Sequence, residues 1–118
     1  MQEIFTAIEE IRKRLGSRLC IMGHHYESDA VIAHCDFTGD SLELARRIPD
    51  VDAEFIVFCG VTFMGETAAL LARKGQKVLL PAPDADCRMA LMSRASAARA
   101  VLTELKERGL DFLPLCYV

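Results

Sequence analysis

The sequence has no block of basic residues and no long uninterrupted hydrophobic run, and we do not expect its first residues to be a secretory signal. The 14 Lys and Arg residues are outnumbered by 17 Asp and Glu residues, so nucleic acids and anionic membrane surfaces are poor candidates for partners. The longest nearly apolar run, residues 55–64, is too short to span a bilayer. The N-terminus is amphipathic rather than basic and then apolar, so we expect a soluble, cytoplasmic protein.

The five cysteines lack the close pair spacing of a disulfide framework or of a self-contained zinc site. Cys20 and Cys59 lie in apolar runs typical of strands, and Cys116 lies in the apolar C-terminal stretch. We expect these three to be buried, unreactive thiols. Cys87 differs, because it follows an acidic loop that contains prolines and precedes a short helix.

Helical patterns alternate with short apolar runs along the chain, which indicates a parallel α/β sheet. We expect one α/β domain over residues 1–118, built as a three-layer αβα arrangement with a mostly parallel sheet of about four strands. Glycines at positions 16, 75 and 109 are predicted to end helices. The expected helices are near 4–15, 29–34, 41–48, 63–74, 88–92 and 96–108, and the expected extended segments are near 19–22, 36–39, 54–59 and 77–80.

Residues 18–27 form the stretch around which the chain is organised. An apolar strand at 19–22 ends at a glycine and is followed at once by His24, His25 and Tyr26. In parallel sheets, ligands bind beyond the carboxyl ends of the strands, which is where these side chains are expected. The alternative is a plain strand-to-helix loop with exposed or hydrogen-bonded histidines.

Three other segments are predicted to reach the same edge of the sheet, at residues 39–43, 60–67 and 80–87. Ser41 stands at a predicted helix start, where its hydroxyl and nearby N–H groups could bind a phosphate or carboxylate. Taken by itself, Ser41 is more simply interpreted as a helix cap. For Cys87, the helix N-terminus favours a thiolate, whereas Asp84 and Asp86 oppose one unless a metal is present. This favours metal ligation, with the other ligands outside this chain.

The order of several motifs resembles the quinolinate synthase family. The motifs are Gly-His-x-Tyr at 23–26, Gly-Asp-Ser-Leu-Glu-Leu-Ala-Arg at 39–46, Val-Phe-Cys-Gly-Val-x-Phe-Met-x-Glu-Thr-Ala at 57–68, Val-Leu-Leu-Pro at 78–81, and Cys87. The resemblance runs from about residue 19 to residue 118. It implies an enzyme of NAD biosynthesis that condenses iminoaspartate with dihydroxyacetone phosphate to quinolinate. It also implies a [4Fe-4S] cluster held by three cysteines, whose open iron acts as a Lewis acid.

The resemblance implies a role for five residues of this chain. His24 matches a histidine that contacts the iminoaspartate carboxylates, and Ser41 matches a serine that binds a substrate carboxylate. Tyr26 matches a tyrosine implicated in catalysis, and Tyr117 matches one that holds the substrate and assists its carbonyl chemistry. Cys87 matches the first of the three cluster cysteines.

The chain also departs from the family pattern. Ala82 and Asp86 replace an Asp and a Gly, and Thr62 stands where a basic residue or histidine is common. The family has three related α/β domains, each with one cluster cysteine, so we interpret this chain as the first domain without the second and third. We expect it to be inactive alone and to self-associate or to need its partner domains.

Two alternatives remain at this stage. The chain could be a stand-alone α/β module that binds a small phosphorylated or carboxylated ligand without catalysis. It could also hold a single metal ion through His24, His25 and His34, although their spacing matches no standard zinc pattern.

Overall fold

The computed structural model describes residues 2–116, and these form two compact units. The first unit runs to Ala85 and contains the sheet, and the second begins at Asp86. In chain order the elements are α1 (Gln2–Leu15), a 3-10 turn (Gly16–Arg18), β1 (Leu19–His24), α2 (Asp29–Ile32), β2 (Phe37–Gly39), α3 (Ser41–Arg47), a 3-10 turn (Ile48–Asp50), β3 (Phe55–Cys59), α4 (Thr62–Leu71), β4 (Lys77–Leu79), α5 (Arg88–Met92) and α6 (Ala95–Glu107).

The four strands form one sheet in the order β2-β1-β3-β4, and every pair is parallel. The prediction of a parallel α/β sheet of about four strands is confirmed. The chain moves to one side of β1 to form β2 and then to the other side to form β3. The direction of winding therefore reverses between β1 and β3, and such a reversal opens a crevice at the carboxyl ends of the strands.

The hydrophobic core lies between one face of the sheet and the helices α3 and α4. Alternate residues of β1 and β3 point into it, because successive side chains of a strand face opposite sides. The largest fully buried side chains are Phe58, Met22, Leu44, Ile48 and Ile56. The other face carries α1 and α2, which contribute no buried residue, so it is less completely covered.

Two of the three predicted glycine stops lie within two residues of a helix end. Gly16 has φ +55° after α1, and Gly109 has φ +68° after α6, a backbone conformation that glycine adopts without a steric penalty. The helix α4 instead ends at Leu71, three residues before the predicted end.

The early end of α4 is explained by contacts with a segment that precedes β3. Beyond the helix, Gln76 Nε2 donates to the carbonyls of Val51 (2.7 Å) and Ala53 (2.8 Å), and Arg73 Nη2 donates to Val51 O (2.6 Å). Another helical turn would carry these side chains away from the carbonyls that they satisfy. None of the helices within residues 2–116 combines the length and the apolar character needed to cross a membrane.

Asp36 joins β1, β2 and α1. Its backbone N–H donates to Ile21 O (2.7 Å), and the N–H of Ile21 donates to Asp36 Oδ2 (2.7 Å). Arg12 donates to Asp36 Oδ1 (2.6 Å) and also to the carbonyl of His34 (2.7 Å). The hydrogen bond from Arg12 to Asp36 raises the pKa of the Arg12 guanidinium and so stabilises its charged form.

We expect Asp36→Ala to lower the free energy of unfolding of the chain by about 2 kcal/mol, because it removes the side-chain acceptor of the Ile21 N–H and one of the two acceptors of Arg12. Asp36→Asn, which retains an acceptor oxygen, should lose less. Urea denaturation measures both. Glu43→Ala is the control, since it removes only the exposed pair with Arg47 and should cost under about 0.5 kcal/mol. Equal losses for Asp36→Ala and the control would contradict this role.

Candidate functional site

Three of the sequence-predicted segments meet at the carboxyl edge of the sheet. In the register of the strands, His24 is opposite Gly39, and Gly23 is opposite Cys59. The loop after β1, the start of α3 and the Gly60 loop therefore lie side by side. The N–H of His25 donates to Gly39 O (3.1 Å), which extends the pairing of β1 and β2 past the last strand residue.

His24, His25 and Tyr26 form a cluster of three rings. Their centroids are 4.6 Å apart for His24 and His25, 4.7 Å for His24 and Tyr26, and 4.5 Å for His25 and Tyr26. The Tyr26 side chain is 85% exposed, whereas His24 is half-buried. The cluster thus presents a phenol to solvent and an imidazole at the edge of the sheet.

His24 is held as a neutral imidazole. Its Nδ1 accepts a hydrogen bond from the Tyr26 N–H (3.2 Å), which requires an unprotonated Nδ1 and leaves the ring proton on Nε2. Burial lowers the pKa of His24 from its ordinary value of 6.5, and the nearby His25 lowers it further, while Asp40 and Glu27 oppose the shift. At neutral pH the Nε2–H group is therefore a donor that carries no charge.

Ser41 is the first residue of α3, and it is not the cap of that helix. Asp40 is the N-cap, because its Oδ1 accepts the N–H of Glu43 (2.8 Å). The alternative that Ser41 merely caps the helix is therefore wrong. Its half-buried hydroxyl makes no hydrogen bond to any residue of the range 2–116, so it is available to a ligand.

The cysteines divide into different environments. Cys20 is buried, and burial raises its pKa to about 11. Cys59 is half-buried beside Cys35, and burial together with Cys35 raises its pKa to about 11. These strand thiols agree with the expectation of unreactive cysteines. For Cys116 the expectation of burial is wrong: it is exposed, since residues 110–116 form no strand that could cover it.

Cys35 also explains a glycine in β1. A Cβ added at Gly23 would lie 2.5 Å from Cys35 Sγ, so only glycine lets the segment after α2 approach the strand this closely. This approach also brings the Cys35 and Cys59 thiols together. No local pattern predicts this contact, because Cys35 and Cys59 are far apart in the chain.

Cys87 belongs to the second unit, where it is the N-cap of α5. It is half-buried, its side chain makes no cap hydrogen bond, and its carbonyl accepts the N–H of Leu91 (3.1 Å). The helix start predicted after Cys87 is confirmed. Its distance from His24 and Ser41 stays a prediction, and Tyr117 lies outside the described residues.

A site for one metal ion on the three histidines is wrong. His34 is on the α1 side, where its Nδ1 lies 3.1 Å from Glu9 Oε1 and its ring packs on Phe5, and it does not join His24 and His25. More generally, residues 2–116 contain no group of three or more His, Cys, Asp or Glu side chains placed to hold a metal ion.

Comparison with known proteins gives consistent matches. The sequence profile of the family described as quinolinate synthetase A protein (NadA) matches residues 6–118. The quinolinate synthase of Bacillus pumilus (strain SAFR-032) is 46% identical over 120 residues, which cover 100% of this chain and 32% of that protein. That of Bacillus subtilis (strain 168) is 43% identical, covering 99% and 32%.

A relative with lower identity matches the same share of the chain. The quinolinate synthase of Herpetosiphon aurantiacus is 40% identical over 122 residues, covering 100% of this chain and 32% of that protein. The chain spans about a third of the length of the curated relatives it matches.

We expect the His24 imidazole to titrate below pH 6.5, and NMR of its ring protons measures this midpoint. Protonation requires charging a partly buried ring and breaks the bond from the Tyr26 N–H, so the neutral form is favoured. His25→Gln should raise the midpoint toward 6.5 because it removes the electrostatic interaction that lowers the pKa of His24, and Asp40→Asn should lower the midpoint because it removes one that raises it. A midpoint at or above 6.5 in the unsubstituted chain would contradict this account.

Proposed function

The chain belongs to the quinolinate synthetase A protein family, and from this we propose that it supplies the first of three domains of a cytoplasmic quinolinate synthase. In the proposed reaction, iminoaspartate condenses with dihydroxyacetone phosphate, and forming the pyridine ring of quinolinate releases phosphate and two waters. The observation that carries the proposal is the convergence of His24, Tyr26 and Ser41 at one edge of the sheet in a chain of this family.

His24 would bind a carboxylate of iminoaspartate through its Nε2–H group. Because Nδ1 is occupied by the Tyr26 N–H, the ring cannot turn without losing a hydrogen bond, and the donor is held in one orientation. A neutral donor orients the carboxylate without the tight charge pairing that would retain the quinolinate dicarboxylate.

Ser41 would donate its hydroxyl to a substrate carboxylate. The carboxylate of Asp40 is next to it, and Asp40 would repel an anion if its charge were not compensated. It accepts the N–H of Glu43 at the start of α3, where the helix dipole stabilises a negative charge. The capping of α3 by Asp40 therefore leaves Ser41 able to act as the donor.

Tyr26 would transfer protons during the condensation and the loss of water. Its phenol is exposed and lies on the imidazole ring of His24, so substrate could reach it from solvent. Tyr117 is proposed to act on the carbonyl of the substrate. We propose that the second and third domains complete the site around these side chains.

Cys87 would be one of three thiolate ligands of a [4Fe-4S] cluster. A soft thiol donor at a helix start, without an internal hydrogen bond from its side chain, suits such a ligand. The described residues offer no further group of ligands, so the other two cysteines would come from the remaining domains. When bound, the open iron of the cluster supplies Lewis-acid chemistry toward substrate oxygens.

The iron proposal is tested on the full-length protein that contains this chain, purified without oxygen. We expect Cys87→Ser to lose most of the iron bound per chain, because a cluster with two of its three thiolates is no longer retained. Cys59→Ser is the matched control, since Cys59 is a half-buried strand thiol outside the proposed ligand set, and it should keep its iron. Iron content that is unchanged in Cys87→Ser would remove Cys87 as a ligand.

The carboxylate-binding proposal is tested by steady-state kinetics of quinolinate formation. We expect Ser41→Ala to raise KM for iminoaspartate about tenfold with a smaller change in kcat, as for the loss of one hydrogen bond to a charged group. Ser28→Ala is the control, because Ser28 precedes α2 without a side-chain cap and should leave KM unchanged. Equal effects of the two substitutions would contradict the role of Ser41.

A further inference from the structure

Thr62 holds the loop that follows β4. Its hydroxyl lies 2.9 Å from Pro83 O and 3.1 Å from Ala85 O, and its backbone N–H donates to Ala85 O (2.8 Å). One side chain and its own amide thus bind two carbonyls that lie more than 20 residues further along the chain. All of these groups belong to the first unit.

This contact takes the place of a helix cap. Thr62 is the first residue of α4, and Val61, the N-cap, supplies no side-chain acceptor. The first N–H groups of a helix have no partner within it and carry a partial positive charge. The carbonyl of Ala85 satisfies one of these donors with the negative end of its dipole, so the loop and the helix stabilise each other.

The loop has few other means of keeping its path. Pro81 and Pro83 have no N–H groups to donate, and proline ring closure fixes only φ. Within the loop, the N–H of Ala85 donates to Ala82 O (3.1 Å), which forms a single turn. The hydroxyl of Thr62 is the side-chain donor that holds the last part of this turn.

We propose that Thr62 is a positioning residue that sets the path of the chain into Cys87. A single residue, Asp86, separates Ala85 from Cys87, a span of at most about 7 Å between the Cα atoms of Ala85 and Cys87. Fixing Ala85 therefore restricts where the thiol can be. The inference deepens the proposed function, because it concerns the residue proposed as a cluster ligand, but it can be tested without metal.

The test compares Thr62→Val, which removes the hydroxyl at constant shape, with Thr62→Ser, which restores it. Hydrogen exchange of the Ala85 amide and the rate of alkylation of Cys87, followed by mass spectrometry, are measured on the metal-free chain. We expect Thr62→Val to speed exchange about tenfold and to speed alkylation, and Thr62→Ser to return both to within about twofold of the unsubstituted chain.

Thr67→Val is the matched control. It lies in the same helix, and its hydroxyl bonds only Phe63 O (2.9 Å), one turn earlier. Thr67→Val should leave the exchange of the Ala85 amide and the alkylation of Cys87 unchanged. The comparison therefore distinguishes a general destabilisation of α4 from a specific release of the loop.

Unchanged exchange and alkylation in Thr62→Val, no rescue by Thr62→Ser, or equal effects of Thr67→Val would each overturn the inference. These outcomes are independent of iron. If Cys87→Ser retains its iron while Thr62→Val speeds exchange and alkylation, Cys87 is not a ligand and the positioning role of Thr62 stands. If Cys87→Ser loses its iron while Thr62→Val changes neither measurement, Cys87 remains the proposed ligand and the positioning role fails.

Discussion

The rest of the first unit depends on the Asp36 carboxylate, which accepts hydrogen bonds from Ile21 in β1 and from Arg12 in α1. β2 has only three residues, which is too little pairing to define its own place in a sheet. Asp36 adds a backbone bond and a side-chain bond to Ile21, and Arg12 holds the carboxylate from the other side. This arrangement puts Gly39 opposite His24, and so brings the start of α3 to the ring cluster.

Much of this architecture could be predicted from local pattern. The apolar runs at 19–22 and 54–59 predict strands, and the positive φ of Gly16 and Gly109 is a property of single residues. The place of His24 and Ser41 at one edge follows from the rule that parallel strands share their carboxyl ends. The family resemblance added the chemistry that the pattern alone left open.

The features that could not be predicted all join residues far apart in the chain. No periodic pattern in the sequence predicts these contacts, because each one forms only when two separate segments pack together in the folded chain. They are the contacts of Arg12 with Asp36, of Thr62 with Ala85, and of Cys35 with Gly23. The end of α4 was misplaced for the same reason, since the competing contacts of Gln76 are made to carbonyls on another segment. Cys116 is exposed although the stretch around it is apolar, because an apolar composition does not by itself supply a surface against which a segment can pack.

The strand order bears on how the growing polypeptide matures on the ribosome. β1 is made second among the regular elements, yet its pairing with β3 needs residue 59 to have emerged, and β4 can add only after that. Until then one edge of β1 exposes unpaired backbone groups, which favours association with other unpaired strands. We expect this interval of synthesis to be the period in which the nascent chain most needs a chaperone.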